Sequence, residues 1–406
     1  MNMLKGAKHL FTHIRRIGEK MDKGKMYLLP DYFFDFHCKM GACRNACCEG
    51  WPISVSLKDY FRLLSADVSG ELRIKLDCAL HIAPNPSPEA YAQILPRFDG
   101  RCPMRMDDGR CALHYELGEF ALPNVCRLYP RGARKEECSC ANSCEAVVEL
   151  FMNREEKITF QSTEMDFHMP EPPERKHFFE SAGMEKEIRM HLITLMQDRS
   201  KTLPGRIAHL GMTLKMLSEA LLEKDHERVK RLVENREGIR LPVYRNPDHD
   251  DLLRGLEIAG KMLSMLDERS DSIREYGECA LSEFGSGEHE FDVYMRKKAL
   301  FESAFPNWET WFEHMLVNHM FFEGFPFQDR PVEFGYEYLA ILSVYVLLRF
   351  LLIGNAEEGF TKEKGADIAA AVFRLVEHTE FDRYAGPMLK RLCADSYENA
   401  RRLICL

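Results

Sequence analysis

Four thiols stand within eleven residues, Cys38, Cys43, Cys47 and Cys48, in the run Cys-Lys-Met-Gly-Ala-Cys-Arg-Asn-Ala-Cys-Cys-Glu-Gly-Trp that closes at Trp51. Cys102, Cys111, Cys126 and Cys144 continue the series. Thiolates at such density serve a disulfide framework, a zinc site or an iron-sulfur cluster, because they are the soft ligands those metals select. A chain of 406 residues needs no disulfides to stay folded, and 11 of its 14 cysteines lie between Cys38 and Cys144, a concentration unusual for a secreted disulfide protein. The first thirty residues hold no apolar run of signal-peptide length, and the longest apolar stretch, Tyr338 to Ile353, is interrupted by Arg349 and falls short of a membrane span. The expectation is a soluble, cytoplasmic protein with no membrane span, whose clustered thiols bind metal. A net charge of -9 argues against general nucleic-acid binding. Spacing alone leaves zinc and iron-sulfur equally open, with a purely structural zinc knot as the plainest reading.

The elements that must position these thiols divide in two. Residues 1–26 form a basic amphipathic extension, with Ala7, Leu10, Phe11, Ile14 and Ile17 opposite Lys8, Arg15, Arg16 and Lys20. Residues 27–165 form an irregular cysteine-rich metal-cluster domain with a few short strands. Within it Pro52 to Ser56 alternates as a strand, Ser56 and Asp59 pattern as a capping box for a helix through Leu64, and residues 94–98 look extended. Asp107-Asp108-Gly109 marks a tight turn that brings Cys102 and Cys111 towards each other. A helical pattern covers Ala112 to Leu117 until Pro123 interrupts, another starts at Ala146, and a strand falls near residues 157–160. Pro170, Pro172 and Pro173 mark a linker, and residues 176–406 form an all-helical domain. Its apolar periodicity predicts helices over 178–198, 204–222, 225–235, 250–267, 269–283, 289–303, 308–323, 335–353, 363–378 and 381–393, the apolar stretch from Tyr338 forming a central buried helix. The fold class is therefore mainly α.

Glycine-rich phosphate loops, His-Glu-x-x-His and Gly-x-Ser-x-Gly are absent, and Gly50 stands where a three-cysteine radical S-adenosylmethionine motif needs a thiol. Dehydrogenase, kinase and serine-hydrolase readings lose their support. Trp51, Tyr129, Phe33 and Phe34 beside the thiols, and Phe321, Phe322 and Phe325 in the helical half, are candidate walls of an apolar cleft or simply core. Arg127 and Arg131 flank a thiol-bearing loop and are candidates to hold a ligand carboxylate, with a salt bridge to a local Glu as the alternative. Asn318 and His319 interrupt an apolar helix, as residues lining a cleft or as satisfied core polars.

The run Cys38 to Trp51, Cys102-Pro103 with Asp108 to Cys111 and Glu116 to Gly118, Val125 to Arg131, and Ser143 to Ala146 resemble the flagellin lysine-N-methylases, within a wider group of zinc- or iron-chelating cysteine-cluster proteins. The resemblance is specific over residues 27–150 and continues in Leu316 to Phe322 with Phe325-Pro326. It implies a cytoplasmic enzyme that methylates lysines of flagellin, using S-adenosylmethionine and a [4Fe-4S] cluster, with zinc as the alternative metal. Its metal ligands would come from Cys38, Cys43, Cys47, Cys48, Cys102, Cys111, Cys126 and Cys144; Tyr129, Arg131 and Asn318 are the catalytic candidates, and Arg127, Arg131 and Trp51 the donor-binding ones. Cys138 and Cys140 look like additions, and His319 stands where the resemblance expects Tyr. A cluster takes about four protein ligands, so eight thiols are in excess, and adjacent side chains diverge; one of Cys47 and Cys48 should bind the cluster while the other faces a second metal, a disulfide partner or the reaction cleft. The alternative from another class is a non-enzymatic metal-binding protein with a helical interaction scaffold.

Overall fold

The computed structural model describes residues 24–165, 183–235, 248–267, 272–284, 289–328 and 333–406. The basic extension up to residue 23, with Arg15, Arg16 and Lys20, and the proline-rich linker at 170–173 lie outside the described residues.

Among the described residues, seven strands make two sheets. β1 (Lys25–Pro30), β5 (Arg131–Arg134), β6 (Glu137–Cys140) and β7 (Phe160–Met165) are ordered β5-β6-β1-β7, while β2 (Ile53–Val55), β3 (Leu80–Ile82) and β4 (Ala92–Ile94) are ordered β2-β4-β3. β1 pairs parallel to β6 at Leu28 and Glu137 and antiparallel to β7 along its whole length. The buried apolar side chains fall into two cores. One unites the first sheet and the helix Glu145–Met152 with the helical half; the other, much smaller, is built from Ile53, Val55, Leu63, Leu72, Leu76, Ile94, Met104 and Leu113 around the second sheet.

The expected helices form over Glu185–Met196, Leu203–Leu222, His226–Val233, His249–Asp267, Arg274–Phe284, Glu290–Ala304, Trp308–Glu323, Phe334–Gly354, Lys362–His378 and Phe381–Arg391. Periodicity predicts their extents well because each buries one or more faces in a shared core. The helix Phe334–Gly354 is longer than the apolar run that announces it and, by length and composition, could cross a membrane; 94% of its most apolar window is covered by protein. Arg349 is accommodated inside it because its guanidinium bonds Leu406 O at 3.1 and 2.8 Å and lies 4.0 Å from the Trp308 ring centroid.

Several differences are local. Ser56 caps its helix by accepting from Asp59 N at 3.1 Å, but the Asp59 carboxylate does not return to close a box; it accepts from Asn124 N at 3.2 Å and pairs with Arg62 at 2.6 Å. The extended segment anticipated at 94–98 forms earlier, as β4, since its pairing with β2 ends at Ile94. The helices Gly70–Ala79 and Tyr397–Ile404 and the strands β1, β3, β5 and β6 lie outside the expected elements: Gly70–Ala79 and the strands carry little periodic signal, whereas Tyr397–Ile404 is amphipathic but only 8 residues long.

The thiol loop and the Asp107–Gly109 turn meet backbone to backbone. Gly41 and Gly109 have φ of 105° and 85°, and a Cβ built on Gly109 would stand 2.3 Å from Gly41 O. Gly109→Ala is expected to cost about 1–2 kcal/mol through left-handed backbone alone, and more through an overlap that no side chain can yield to. A urea titration followed by tryptophan fluorescence checks this; an unchanged midpoint would show that the two loops do not rely on that contact.

Candidate active site

The first thiol loop is anchored by one carboxylate. Glu145, almost fully buried at the start of the helix Glu145–Met152, accepts from Arg44 N at 3.2 Å and Asn45 N at 3.0 Å and pairs with Lys39 Nζ at 2.7 Å. Arg44 Nε reaches Asp367 at 2.9 Å, tying the same loop to the helix Lys362–His378. Because Glu145 follows Cys144 directly, these bonds bring Cys38, Cys43 and Cys47 beside Cys144. Burial, followed by Cys48, Cys38, Cys144 and Cys43, pushes the Cys47 thiol up to about 12 although part of that residue remains solvent-accessible. Burial likewise pushes Cys144 up to about 12, with Cys43 and Cys38 adding to it.

Cys48, Cys102, Cys111 and Cys126 sit on the small core instead. Cys102 is raised to about 12 by burial, with Cys48 and Cys111 as its thiol neighbours. Burial also raises Cys126, with Cys111 and Cys102 acting more strongly than Cys47 and Cys48. All eight thiols are free, and among the described residues no three His, Cys, Asp or Glu side chains form a group that could hold a metal ion as they stand. The donor chemistry is nevertheless uniform: sulfur only in each foursome, the set that suits four-coordinate zinc or an iron-sulfur cluster.

Next to Cys47 and Cys144 lies a polar chain. Trp51 donates from Nε1 to Cys47 O at 2.8 Å, and its ring stacks on His378 with centroids 5.4 Å apart. His378 Nε2 lies 3.1 Å from Ser143 Oγ, which also accepts from the Tyr129 hydroxyl at 3.2 Å. Burial, then Cys144, holds the Tyr129 phenol well above its usual range. Partial desolvation of the His378 ring lowers its pKa from 6.5, so it is a neutral imidazole at neutral pH.

Behind this chain is a buried charge cluster. Glu377 accepts from Asn142 N at 3.0 Å and Ser143 N at 2.9 Å, fixing the loop that carries Ser143. His319, fully buried, lies 3.9 Å from Glu377 and 3.7 Å from Asp382. Burial works against the charged ring, but Asp382 and Glu377, with a smaller contribution from Glu323, outweigh it and raise His319 to about 10. Its folded pKa is above the unfolded one, so its stabilisation is complete below about pH 6.5 and disappears as pH rises through 10. Thermal stability is therefore expected to fall between pH 8 and 10, and His319→Gln should flatten that slope; equal slopes would remove His319 as the cause.

The other expected site residues are placed as follows. Asn318 is a buried tie, donating to Cys140 O and Asn142 Oδ1 at 2.7 Å each and accepting from the Tyr32 hydroxyl. Arg127 donates to Asn124 Oδ1 at 2.7 Å. Arg131 lies over the rings of Phe33 and Phe36 at 5.7 and 5.0 Å, rather than in a salt bridge to a Glu. Cys138 and Cys140 are buried on β6. Phe321 and Phe325 are core, Phe34 is exposed, and the Phe322 ring covers Gly132. A cavity of about 430 Å³ lined by Tyr336, Tyr338 and Tyr397 lies within the helical half and includes none of the eight thiols. Sequence reasoning missed Ser143, Glu377 and His378 as site residues. Ser143 and His378 are 235 positions apart, and neither lies in a pattern that announces the other.

A mainly helical protein whose thiol-rich lobe packs its loops against an aromatic and imidazole-bearing helix end is thus the class that fold and site define. Residues 189–406, more than half of the chain, match the FliB lysine N-methylase C-terminal domain, and the chain belongs to that family. It is 28% identical over 129 residues to the lysine-N-methylases of Salmonella choleraesuis (strain SC-B67) and Salmonella typhimurium (strain LT2), covering 30% of this chain and 32% of each relative. It is 27% identical over 129 residues to the flagellar biosynthetic protein FliU of Salmonella muenchen, covering 30% of this chain and 75% of that one. The match thus spans about a third of the length of the first two relatives. No solved structure matches.

Proposed function

We propose that the protein is a cytoplasmic lysine N-methyltransferase acting on flagellin, with S-adenosylmethionine as methyl donor and a [4Fe-4S] cluster held by Cys38, Cys43, Cys47 and Cys144. The observation that carries this reading is the convergence of Trp51, Tyr129, Ser143 and His378 on those thiols in a chain of the FliB lysine N-methylase family. Sulfur-only donors fit a cluster. When bound, the donor supplies an electrophilic methyl on a sulfonium, and the cluster a redox-active thiolate-ligated centre.

A lysine ammonium, with a pKa of about 10.4, must lose its proton before its lone pair can attack that methyl. His378 is the group that can take it: in the tautomer that donates from Nε2 to Ser143, its Nδ1 is open to accept. The nitrogen lone pair forms the new N–C bond and the S–C electrons leave with the thioether. Trp51 offers an aromatic face over which a lysine stem can lie, and Tyr129, kept neutral, holds Ser143 in place. Arg131, lying over the Phe33 and Phe36 rings, is the candidate to hold the donor's carboxylate.

The test is mass spectrometry of flagellin coexpressed with the wild-type protein, with Cys47→Ser and with His378→Asn. Wild type should add methyl masses to lysines, Cys47→Ser should add none, and His378→Asn should slow methylation by about 100-fold or more, as loss of a general base does. Because His378 titrates below 6.5, the wild-type rate should fall only on the acid side of that pH. Identical flagellin masses with and without the protein would sink the enzymatic reading, and colourless, zinc-loaded protein after anaerobic purification would sink the cluster.

A further inference from the structure

We infer that the cavity between the helices Leu203–Leu222, Phe334–Gly354 and Tyr397–Ile404 is a binding site for a small heteroaromatic amino acid, held as its zwitterion and separate from the candidate active site. The first and last of these helices each turn one stripe to it. Gly211, Leu214, Lys215 and Ser218 stand at helical spacing on the first, and Tyr397, Ala400, Arg401 and Ile404 repeat that spacing on the last. The cavity is thus where two helix faces meet across the start of the third. Its volume of about 430 Å³ falls in the range of small-molecule sites. None of Trp51, Tyr129, Ser143 and His378 is among its described lining residues.

Glycine and tyrosine build its walls. A Cβ on Gly211 would stand 2.6 Å from Tyr338 Cζ, and one on Gly386 would overlap Tyr336 Cδ1, so both rings lie where any larger residue would displace them. Tyr397, the third ring, is 55% exposed, an unusual placement for a large side chain unless something covers it. Burial, then Tyr397, holds the Tyr338 phenol well above its usual range, so it stays a neutral O–H donor. Such walls favour a flat aromatic body. The polar groups decide its head. Lys215, Glu333 and Asp395 line the cavity and are exposed, whereas Arg401 is already paired with Asp251. An ammonium meets Glu333 and Asp395, and a carboxylate meets Lys215. Ser218 Oγ is enclosed without a hydrogen-bond partner, an orphan that a ring N–H satisfies. An apolar occupant would leave these groups unmatched, and an anion alone would face two carboxylates.

Isothermal titration calorimetry of the full chain with L-tryptophan, tryptamine and N-acetyl-L-tryptophan tests this. Wild type should bind L-tryptophan at one site per chain. Each analogue lacks one charge of the head and should bind at least about tenfold more weakly. Lys215→Glu, a change at an exposed position, should weaken L-tryptophan by at least about tenfold, and Lys215→Arg should retain it. Gly335 lines the cavity, and a Cβ there meets no atom within 4 Å, so Gly335→Phe should block entry and abolish binding. His378→Asn should leave binding unchanged. No heat with L-tryptophan at millimolar concentration overturns the inference, as does an analogue or the Lys215→Glu variant that binds equally well. Binding that survives in folded Gly335→Phe protein, or that His378→Asn removes, puts L-tryptophan elsewhere and overturns it too.

Discussion

Replacing His319 by phenylalanine is expected to cost about 3–5 kcal/mol of folding stability, the range for removing one partner of a buried ion pair. Phenylalanine adds one ring atom beside Phe373, 5.6 Å away between centroids, so no cavity forms and any packing cost is the same at every pH. What is lost is the cation between Glu377 and Asp382, both almost enclosed by protein. The discriminating measurement is denaturation of wild type and His319→Phe at two pH values. At pH 7 the two carboxylates lose the charge of His319. At acid pH they can protonate, so the gap between the two proteins should narrow. A gap of equal size at both would mean that packing, not charge, sets the cost. The same variant should slow methylation more than lost stability explains, because Glu377 holds the amides of Asn142 and Ser143 and thereby places Ser143 for His378.

Glu145→Ala is expected to release the first thiol loop. Its carboxylate satisfies two main-chain amides and a lysine, and hydrogen bonds to a charged group contribute about 1.5–3 kcal/mol each. Their sum is larger than a surface loop can lose and remain closed, so the loop opens locally before the molecule unfolds. Hydrogen exchange at the amides of Arg44 and Asn45 should quicken by at least about 100-fold, corresponding to roughly 3 kcal/mol, while amides in the helix Phe334–Gly354 keep their protection. Content of the cluster proposed on Cys38, Cys43, Cys47 and Cys144 should fall with it. Unchanged exchange at Arg44 and Asn45 would mean that the loop is held by its thiols and glycines rather than by Glu145.

The helical half was legible because its helices repeat apolar residues at the period of the helix, and that pattern exists only when a face must be buried. The short strands were not. β5 and β6 pair with each other as a short hairpin and join the sheet only through β1, more than a hundred residues earlier, and a three-residue strand such as β3 has no period to detect. The same distinction runs through the candidate site. Trp51 and Tyr129 were singled out by their place beside thiols, and the structure brings them together. Asn318 was singled out as a polar break in an apolar helix, and its bonds to Cys140, Asn142 and Tyr32 make it a tie between that helix and β6. Arg127 and Arg131 lie in one motif but turn to different partners, Asn124 and the Phe33–Phe36 pair.

By itself the sequence determined that thiols are this protein's distinctive chemistry, that they gather in the N-terminal third, and that a mainly helical body follows, because residue type and local period are properties of the chain alone. Tertiary structure decided which core the thiols meet: Cys102 is buried in the small core with Cys48, Cys111 and Cys126 packed on it, while Cys144 packs on the large one. Cys47 and Cys48 are adjacent in sequence, yet their carbonyls accept from different partners, Trp51 Nε1 and Cys102 N. It also decided that His378 meets Ser143 and that His319 sits between Glu377 and Asp382, pairings whose free energy comes from burial and charge at separations of a few ångströms, which the one-dimensional order of residues does not contain.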